Sequence, residues 1–410
     1  MTLSDVALAI KVCLDLKEPA SSFHAPYYNT LPLMDYFSTA LPLCWPEAKL
    51  RSLLRGSPFT LAKALRQQSE IRRLYNDIVS KVAPSVTFGE FLYAFCNIST
   101  RSFHVVSEDG KFSVEGLIPF MDMSNHKRPR DLTFALELYD EEASATATAS
   151  RSRVIVKTLR DVQCGEQVCI TYGAKGNEAL LLSYGFCILN NAELDGSSND
   201  VFFRSLSSDD ADSEAQQYMF RLGGGASYSF GCLSKALEKC RDESRKGNSK
   251  GSKQKKEKAL DLEVTACMRL EEYLSKEIDK MASARATNAS SVVSHYEDFI
   301  AKADEGDEWQ EAEKHCCILG LSEVLTLQFY LNATRCLLTV LDSAVDGKLN
   351  EACVEAVVKK WHSSSEPTTA KEEETQCEDT SEDTINVMKR EAKNIDKLIL
   401  VYCRIRLKMK

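Results

Sequence analysis

The chain has 410 residues, 44% of them hydrophobic and 27% charged, with a formal net charge of -9. That length fills two domains of ordinary size, and the acidic balance argues against nucleic acid as a partner. No apolar run reaches the roughly 20 residues of a membrane helix, and the N-terminus lacks a basic region ahead of a cleavage site, so no membrane partner is expected.

Residues Met1 to Lys17 read as a helix with Val6, Ile10, Cys13 and Leu14 on one face and Ser4 as its cap. A second helical face runs over Thr87, Phe88, Phe91, Leu92 and Phe95 and leads into Ser99-Thr100-Arg101-Ser102-Phe103. The apolar run Gly116 to Met123 then closes on Ser124-Asn125-His126. Alone, an Asn-His pair in that place is an ordinary turn.

Arg153 to Lys157 alternates as a strand, Cys164-Gly165-Glu166 is a turn, and Gln167 to Tyr172 alternates again. The two runs predict a hairpin or meander that delivers Tyr172 to a strand end. Asn177, Leu180, Leu181 and Tyr184 then return to helical spacing, which Gly185 closes as a C-cap.

From Val201 onward the pattern predicts a helical region. Ser207 to Asp212 is acidic and reads as a loop, and the Lys-rich stretch 241–258 reads as a disordered linker. A basic run can bind nucleic acid, but this one has no interleaved aromatics. Apolar faces cover Leu260 to Ile278 and His315 to Leu341; the composition of 363–383 predicts disorder, and Ile385 to Leu407 returns as an amphipathic helix. The 15 cysteines sit in apolar contexts with no Cys-x-x-Cys pair, which predicts a reducing compartment and no metal site. The expected location is intracellular, the cytoplasm first, with nucleus and plastid left open.

Four stretches occur together in one order: Ser99-Thr100-Arg101-Ser102-Phe103, Asp122-Met123-Ser124-Asn125-His126, Thr171-Tyr172-Gly173, and Tyr184-Gly185-Phe186. In that order they resemble the active-site half of the SET-domain protein methyltransferases, in the branch of the Rubisco large-subunit methyltransferase. Ser22 to Pro32 resembles a segment of the helical insert in that branch. The resemblance implies an α+β fold: a SET-type core of short β-strands with a helical insert, followed by an all-helical C-terminal domain. The expected divisions are 1–90 for the insert, 91–200 for the catalytic core and 201–410 for a substrate-binding helical domain. The family's strand pair with its Gly-x-Gly turn has no counterpart before Ser22, so part of the cofactor pocket is expected to be missing from this chain.

By the same resemblance the cofactor is S-adenosylmethionine, and the reaction is methyl transfer to a lysine of a non-histone protein. Many histone-directed relatives carry zinc-binding cysteine clusters after the core, and no cluster follows Phe186. Tyr172 would orient the amine and Tyr184 would line the same channel. Arg101 would pair with the cofactor's carboxylate, Phe103 and Phe186 would pack around the cofactor, and Asn125 and His126 would hold its adenine through their main chain. Asp122 would be structural. A histidine target stays open, since the branch includes actin-histidine methyltransferases. So does a binding module that has the fold without the transfer activity.

Overall fold

The computed structural model describes residues 3–106, 113–139, 151–193, 198–205, 217–222, 226–247, 257–303, 307–343, 350–365, 395 and 397–404. They divide into two compact units. The first comprises Met1–Lys49, Ala62–Lys175 and Ala179–Phe186; the second comprises Leu50–Leu61, Gly176–Glu178 and Cys187–Lys410. The acidic stretch 207–212 and most of 363–383 lie outside the described residues.

The helices of the N-terminal part are α1 (Leu3–Lys17), α2 (Ala25–Tyr28), α3 (Met34–Ala40), α4 (Glu47–Leu53), α5 (Pro58–Leu74), α6 (Ser80–Val82) and α7 (Phe88–Arg101). Helix α1 buries Val6, Ala9, Val12 and Cys13. Leu14, placed on that face by the sequence pattern, is 43% exposed; the buried stripe runs through the smaller residues that let α1 lie close to α7. Helix α7 starts with a capping box, in which Thr87 Oγ1 accepts from the Glu90 N–H and the Glu90 carboxylate accepts from the Thr87 N–H. Lys17 donates to Glu90 at 2.7 Å, and Phe91, Ala94, Phe95 and Ile98 fill the core beneath α1.

The strands of this unit come in pairs. β1 (Ser102–Val106) and β2 (Ser113–Leu117) are antiparallel, as are β4 (Leu132–Tyr139) and β5 (Arg151–Thr158). β3 (Asn125–His126) and β6 (Cys169–Ile170) are parallel, with Asn125 opposite Cys169 and His126 opposite Ile170. This corrects the expected hairpin between the Arg153 and Gln167 runs: β5 returns on β4, while β6 lies beside the Asn-His turn. Asp131 secures that arrangement. Its N–H donates to the Cys169 carbonyl at 2.9 Å, its carboxylate accepts from the Cys169 N–H at 3.0 Å, and Arg160 donates to it at 2.6 Å. The neighbouring guanidinium holds the Asp131 carboxyl below its usual range, with the Cys169 N–H adding to the effect.

α8 (Asn177–Tyr184) follows β6. Among the described residues the second unit is mainly helical; it also holds an antiparallel hairpin, β7 (Val201–Ser205) with β8 (Gln217–Arg221), where the apolar pattern predicted helix from Val201. Its helices are α9 (Ala226–Gly247), α10 (Glu257–Ala284), α11 (Val292–Lys302), α12 (Glu308–Asp342) and α13 (Glu351–Ser365). The stretch expected as a linker is therefore helical at 241–247 and 257–258, with 248–256 outside the described residues. Arg241 points inward, bonded to Glu263 and at 3.4 Å from the Tyr402 hydroxyl, so a residue read as part of a basic run is an internal tie.

Leu233, Leu237, Leu270, Leu274, Leu327 and Tyr330 form the centre of this helical core, to which Leu398, Ile399 and Tyr402 also belong. Contrary to the reading of apolar runs, α12 is long and apolar enough to cross a membrane by length and composition; 78% of its most apolar window is buried in the protein. It also carries buried Glu323, Thr326 and Thr334, as a core helix does.

Candidate functional site

Three backbone features of the first unit bring the sequence-predicted residues together. Helix α7 ends at Arg101, the β3/β6 pair sets His126 beside the approach to Tyr172, and α8 ends at Tyr184. Gly185 makes the last possible. It adopts φ +83°, its N–H donates to the Leu181 carbonyl at 3.0 Å, and a Cβ there would stand 2.7 Å from the Ala40 carbonyl oxygen. Only glycine turns the chain so tightly against α3, and the turn carries Tyr184 and Phe186 on either side of it.

The result is a cluster of four rings. Tyr172 and Tyr184 lie 4.6 Å apart between centroids, His126 is 5.2 Å from Tyr172, and Phe186 is 6.2 Å from both Tyr172 and His126. Tyr172 is fixed twice: its N–H donates to His126 Nδ1 at 2.9 Å and its hydroxyl donates to the Ser124 carbonyl at 3.0 Å. A neutral His126 that accepts at Nδ1 carries its proton on Nε2. Burial first, and then the neighbouring Tyr184, push the Tyr172 hydroxyl up to about 12, while the positive charge of Arg101 pulls the other way. Tyr172 is thus a neutral hydroxyl near pH 7 that donates its proton to the Ser124 carbonyl. Burial also raises Tyr184.

A polar group adjoins the rings. Arg101 Nη1 donates to the Asp122 carbonyl at 2.9 Å and lies 3.3 Å from its carboxylate; Tyr27 donates to the same carboxylate oxygen at 2.8 Å. Among the described residues, Arg101 Nε, Asn97 Oδ1 and Asp122 Oδ1 are buried without a hydrogen-bond partner. Asn97 and Arg101 are four residues apart on α7, so they share one face. Buried polar atoms left in this way cost free energy unless something satisfies them.

The amino-acid sequence matches no family model. Over 201 residues it is 26% identical to the actin-histidine N-methyltransferase of Mus musculus, an alignment covering 46% of this chain and 31% of that protein. Against the proteins of the same name from Canis lupus familiaris and Homo sapiens it is 27% identical over 203 residues and 26% identical over 201, with the same coverage of each. The chain thus spans about a third of the length of the curated relatives it matches. A solved structure described as the SET domain of LSMT bound to lysine and AdoHcy superposes with a TM-score of 0.50 over 82% of this chain and 76% of that one, at 18% identity. The chain has the SET fold.

Within the SET core the positions of the other expected residues differ in kind. Asn125 and His126 form β3 beside β6, so their main chain is partly engaged in strand pairing. Phe103, expected among the cofactor's aromatic neighbours, stands opposite Gly116 in the β1/β2 pair and packs edge-on against Phe134 of β4 at 5.5 Å. Arg101 is bound to Asp122, a partner the sequence did not assign to it.

Tyr27, Asn97 and Tyr36 were not singled out by the sequence. Tyr27 had a signal in Pro26-Tyr27-Tyr28, but its partner lies 95 positions away. Asn97 had only its helical spacing from Arg101. Tyr36, 54% exposed, is a further neighbour that helps to keep the Tyr172 hydroxyl protonated.

Proposed function

We infer that this chain belongs to an S-adenosylmethionine-dependent protein methyltransferase whose target is a lysine amine on a non-histone protein. The observation that carries the reading is the Tyr172 hydroxyl, neutral, hydrogen-bonded to Ser124 and enclosed by His126, Tyr184 and Phe186.

The residues present suit the cofactor's amino-acid end. Arg101 Nε is a buried donor for a carboxylate, and Asn97 Oδ1 and Asp122 Oδ1 are buried acceptors for an ammonium. When bound, S-adenosylmethionine supplies a methyl group made electrophilic by its sulfonium. The protein's own part is orientation: a bimolecular displacement becomes effectively unimolecular when both partners are held in line, an effect of about 7–11 kcal/mol. With its O–H donated to the Ser124 carbonyl, Tyr172 offers oxygen lone pairs to an amine N–H and so directs the nitrogen's own lone pair elsewhere. Desolvation among the rings lowers an ammonium pKa, which favours the neutral amine without a dedicated base. Tyr172, with a pKa of about 12, is a poor base at pH 7 and acts by position.

A histidine target is the second reading, favoured by the actin-histidine N-methyltransferases among the relatives. An imidazole is already neutral near pH 7, so the same rings and hydroxyl would serve it.

The test is transfer of labelled methyl from S-adenosylmethionine to proteins of a cell extract, followed by complete hydrolysis and separation of the labelled amino acids. Label in methyl-lysine, lost with Tyr172→Phe, supports the lysine reading, and label in methyl-histidine supports the second. No labelling by the wild-type chain would favour a binding module.

A further inference from the structure

Cys44 closes the short turn Pro42–Cys44, and Cys96 sits on the buried face of α7. The two sulfurs are 3.4 Å apart, in contact but unbonded, against about 2.05 Å for a disulfide. Both lie in the first unit, in a small apolar cluster with Phe37, Leu41 and Leu92. Their accessibilities differ: Cys96 is fully buried, whereas Cys44 is half-buried. A small oxidant therefore meets Cys44 first, with a second thiol already behind it.

We propose that Cys44 and Cys96 form a redox modification site, closing to a disulfide under hydrogen peroxide and reopening under a thiol reductant. The Cys44 thiolate attacks one peroxide oxygen, the O–O bond breaks, and the departing hydroxide takes up a proton to leave as water; Cys44 becomes a sulfenic acid. The Cys96 sulfur then displaces the hydroxyl from Cys44, which leaves as a second water with the Cys96 proton. Two electrons pass from the sulfur pair to peroxide and one S–S bond forms. Contact with Cys44, together with burial, holds the Cys96 thiol well above its ordinary range. Cys96 is accordingly the resolving partner, and proximity replaces nucleophilicity in its step.

The bond would join positions 52 apart in the chain and tie the Pro42–Cys44 turn to α7 at the residue before Asn97, within about a turn and a half of Arg101. Oxidation thereby reaches the helix that carries the polar end of the candidate site. The inference rests on the two sulfurs and not on the reaction the chain performs.

The full chain is treated with hydrogen peroxide at low protein concentration, alkylated without reductant, digested and mapped by mass spectrometry. The expected result is a peptide pair joining Cys44 to Cys96, lighter by two hydrogens than the separate peptides and released by dithiothreitol, together with a higher Tm for the oxidised chain. Cys44→Ser should lose both signals and leave Cys96 open to alkylation on unfolding. The proposal is overturned if Cys44 proceeds to sulfinic acid while Cys96 stays a free thiol, if either residue links only to another cysteine, or if neither reacts. Should Cys44→Ser not fold, the wild-type map decides by itself.

Discussion

Arg101 and Asp122 hold each other across 21 positions of chain: the guanidinium donates to the Asp122 carbonyl at 2.9 Å and stands 3.3 Å from a carboxylate whose side chain is only 1% exposed. The pair joins the last turn of α7 to the turn before β3, and Tyr27 completes it. One arginine is thereby both a structural tie and the candidate anion-binding group.

Arg101→Ala should show both roles. Leaving the buried Asp122 carboxylate without its cation costs stability, by about 3–5 kcal/mol where such pairs are fully buried and less here because Arg101 is 21% exposed. Affinity for S-adenosylmethionine should fall by roughly 2–5 kcal/mol. Chemical denaturation and calorimetric titration measure the two. Adding Asp122→Asn should recover much of the stability and none of the affinity; Arg101→Lys should recover affinity only in part, because an ammonium lacks the fork. Undiminished affinity in Arg101→Ala would remove Arg101 from the site.

Tyr172→Phe keeps the ring in its cluster and removes one hydroxyl. Folding should weaken by about 1 kcal/mol for the lost bond to Ser124, and cofactor affinity should change little. Turnover should drop by about 10²–10³, the usual effect of losing one polar group that acts mainly in the transition state. Single-turnover methyl transfer reads the rate; a variant as fast as wild type would make Tyr172 a packing residue.

Gly185→Ala should be among the most damaging single-methyl additions in the SET core. The left-handed backbone costs about 1–2 kcal/mol for alanine, and the new Cβ would meet the Ala40 carbonyl oxygen at 2.7 Å, a backbone atom that cannot swing away. Because Tyr184 and Phe186 flank the position, the ring cluster should loosen too. A lower denaturant midpoint and altered near-UV circular dichroism are the expected readings; an unchanged midpoint would mean that α3 gives way easily.

Stability should decline at high pH in a defined window. Tyr28, Tyr172 and Tyr296 are each raised from 10.0 to about 12, in every case chiefly by burial. Since the folded values lie above the unfolded ones, the unfolded chain releases these protons first. Their contribution is complete below pH 10 and is lost as pH rises through about 12. Denaturant midpoints measured across that window should fall, with a shallower fall in Tyr172→Phe, and tyrosinate absorbance should appear later in the folded chain than in urea.

Local signals in the sequence determined a good part of this. The capping residues Thr87 and Glu90, the terminus of α8 at Gly185 and the apolar stripe of α12 are all set by neighbours within a few positions, where hydrogen-bond closure and helical spacing act. The joint order of Arg101, Asn125-His126, Tyr172 and Tyr184 was likewise legible as a motif, and it pointed to the SET fold. Pairings between distant segments were decided in the tertiary structure. Alternation in 153–157 and 167–172 marks extended chain but not its partner, so β6 could be matched to β3 only in three dimensions. The tie from Tyr27 to Asp122 and Arg101, the inward turn of Arg241 toward Glu263, and the contact of Cys44 with Cys96 depend on burial and on atoms brought together from far apart in the chain. Period and propensity describe one segment at a time, whereas a buried charge or thiol takes its chemistry from whatever the fold places beside it.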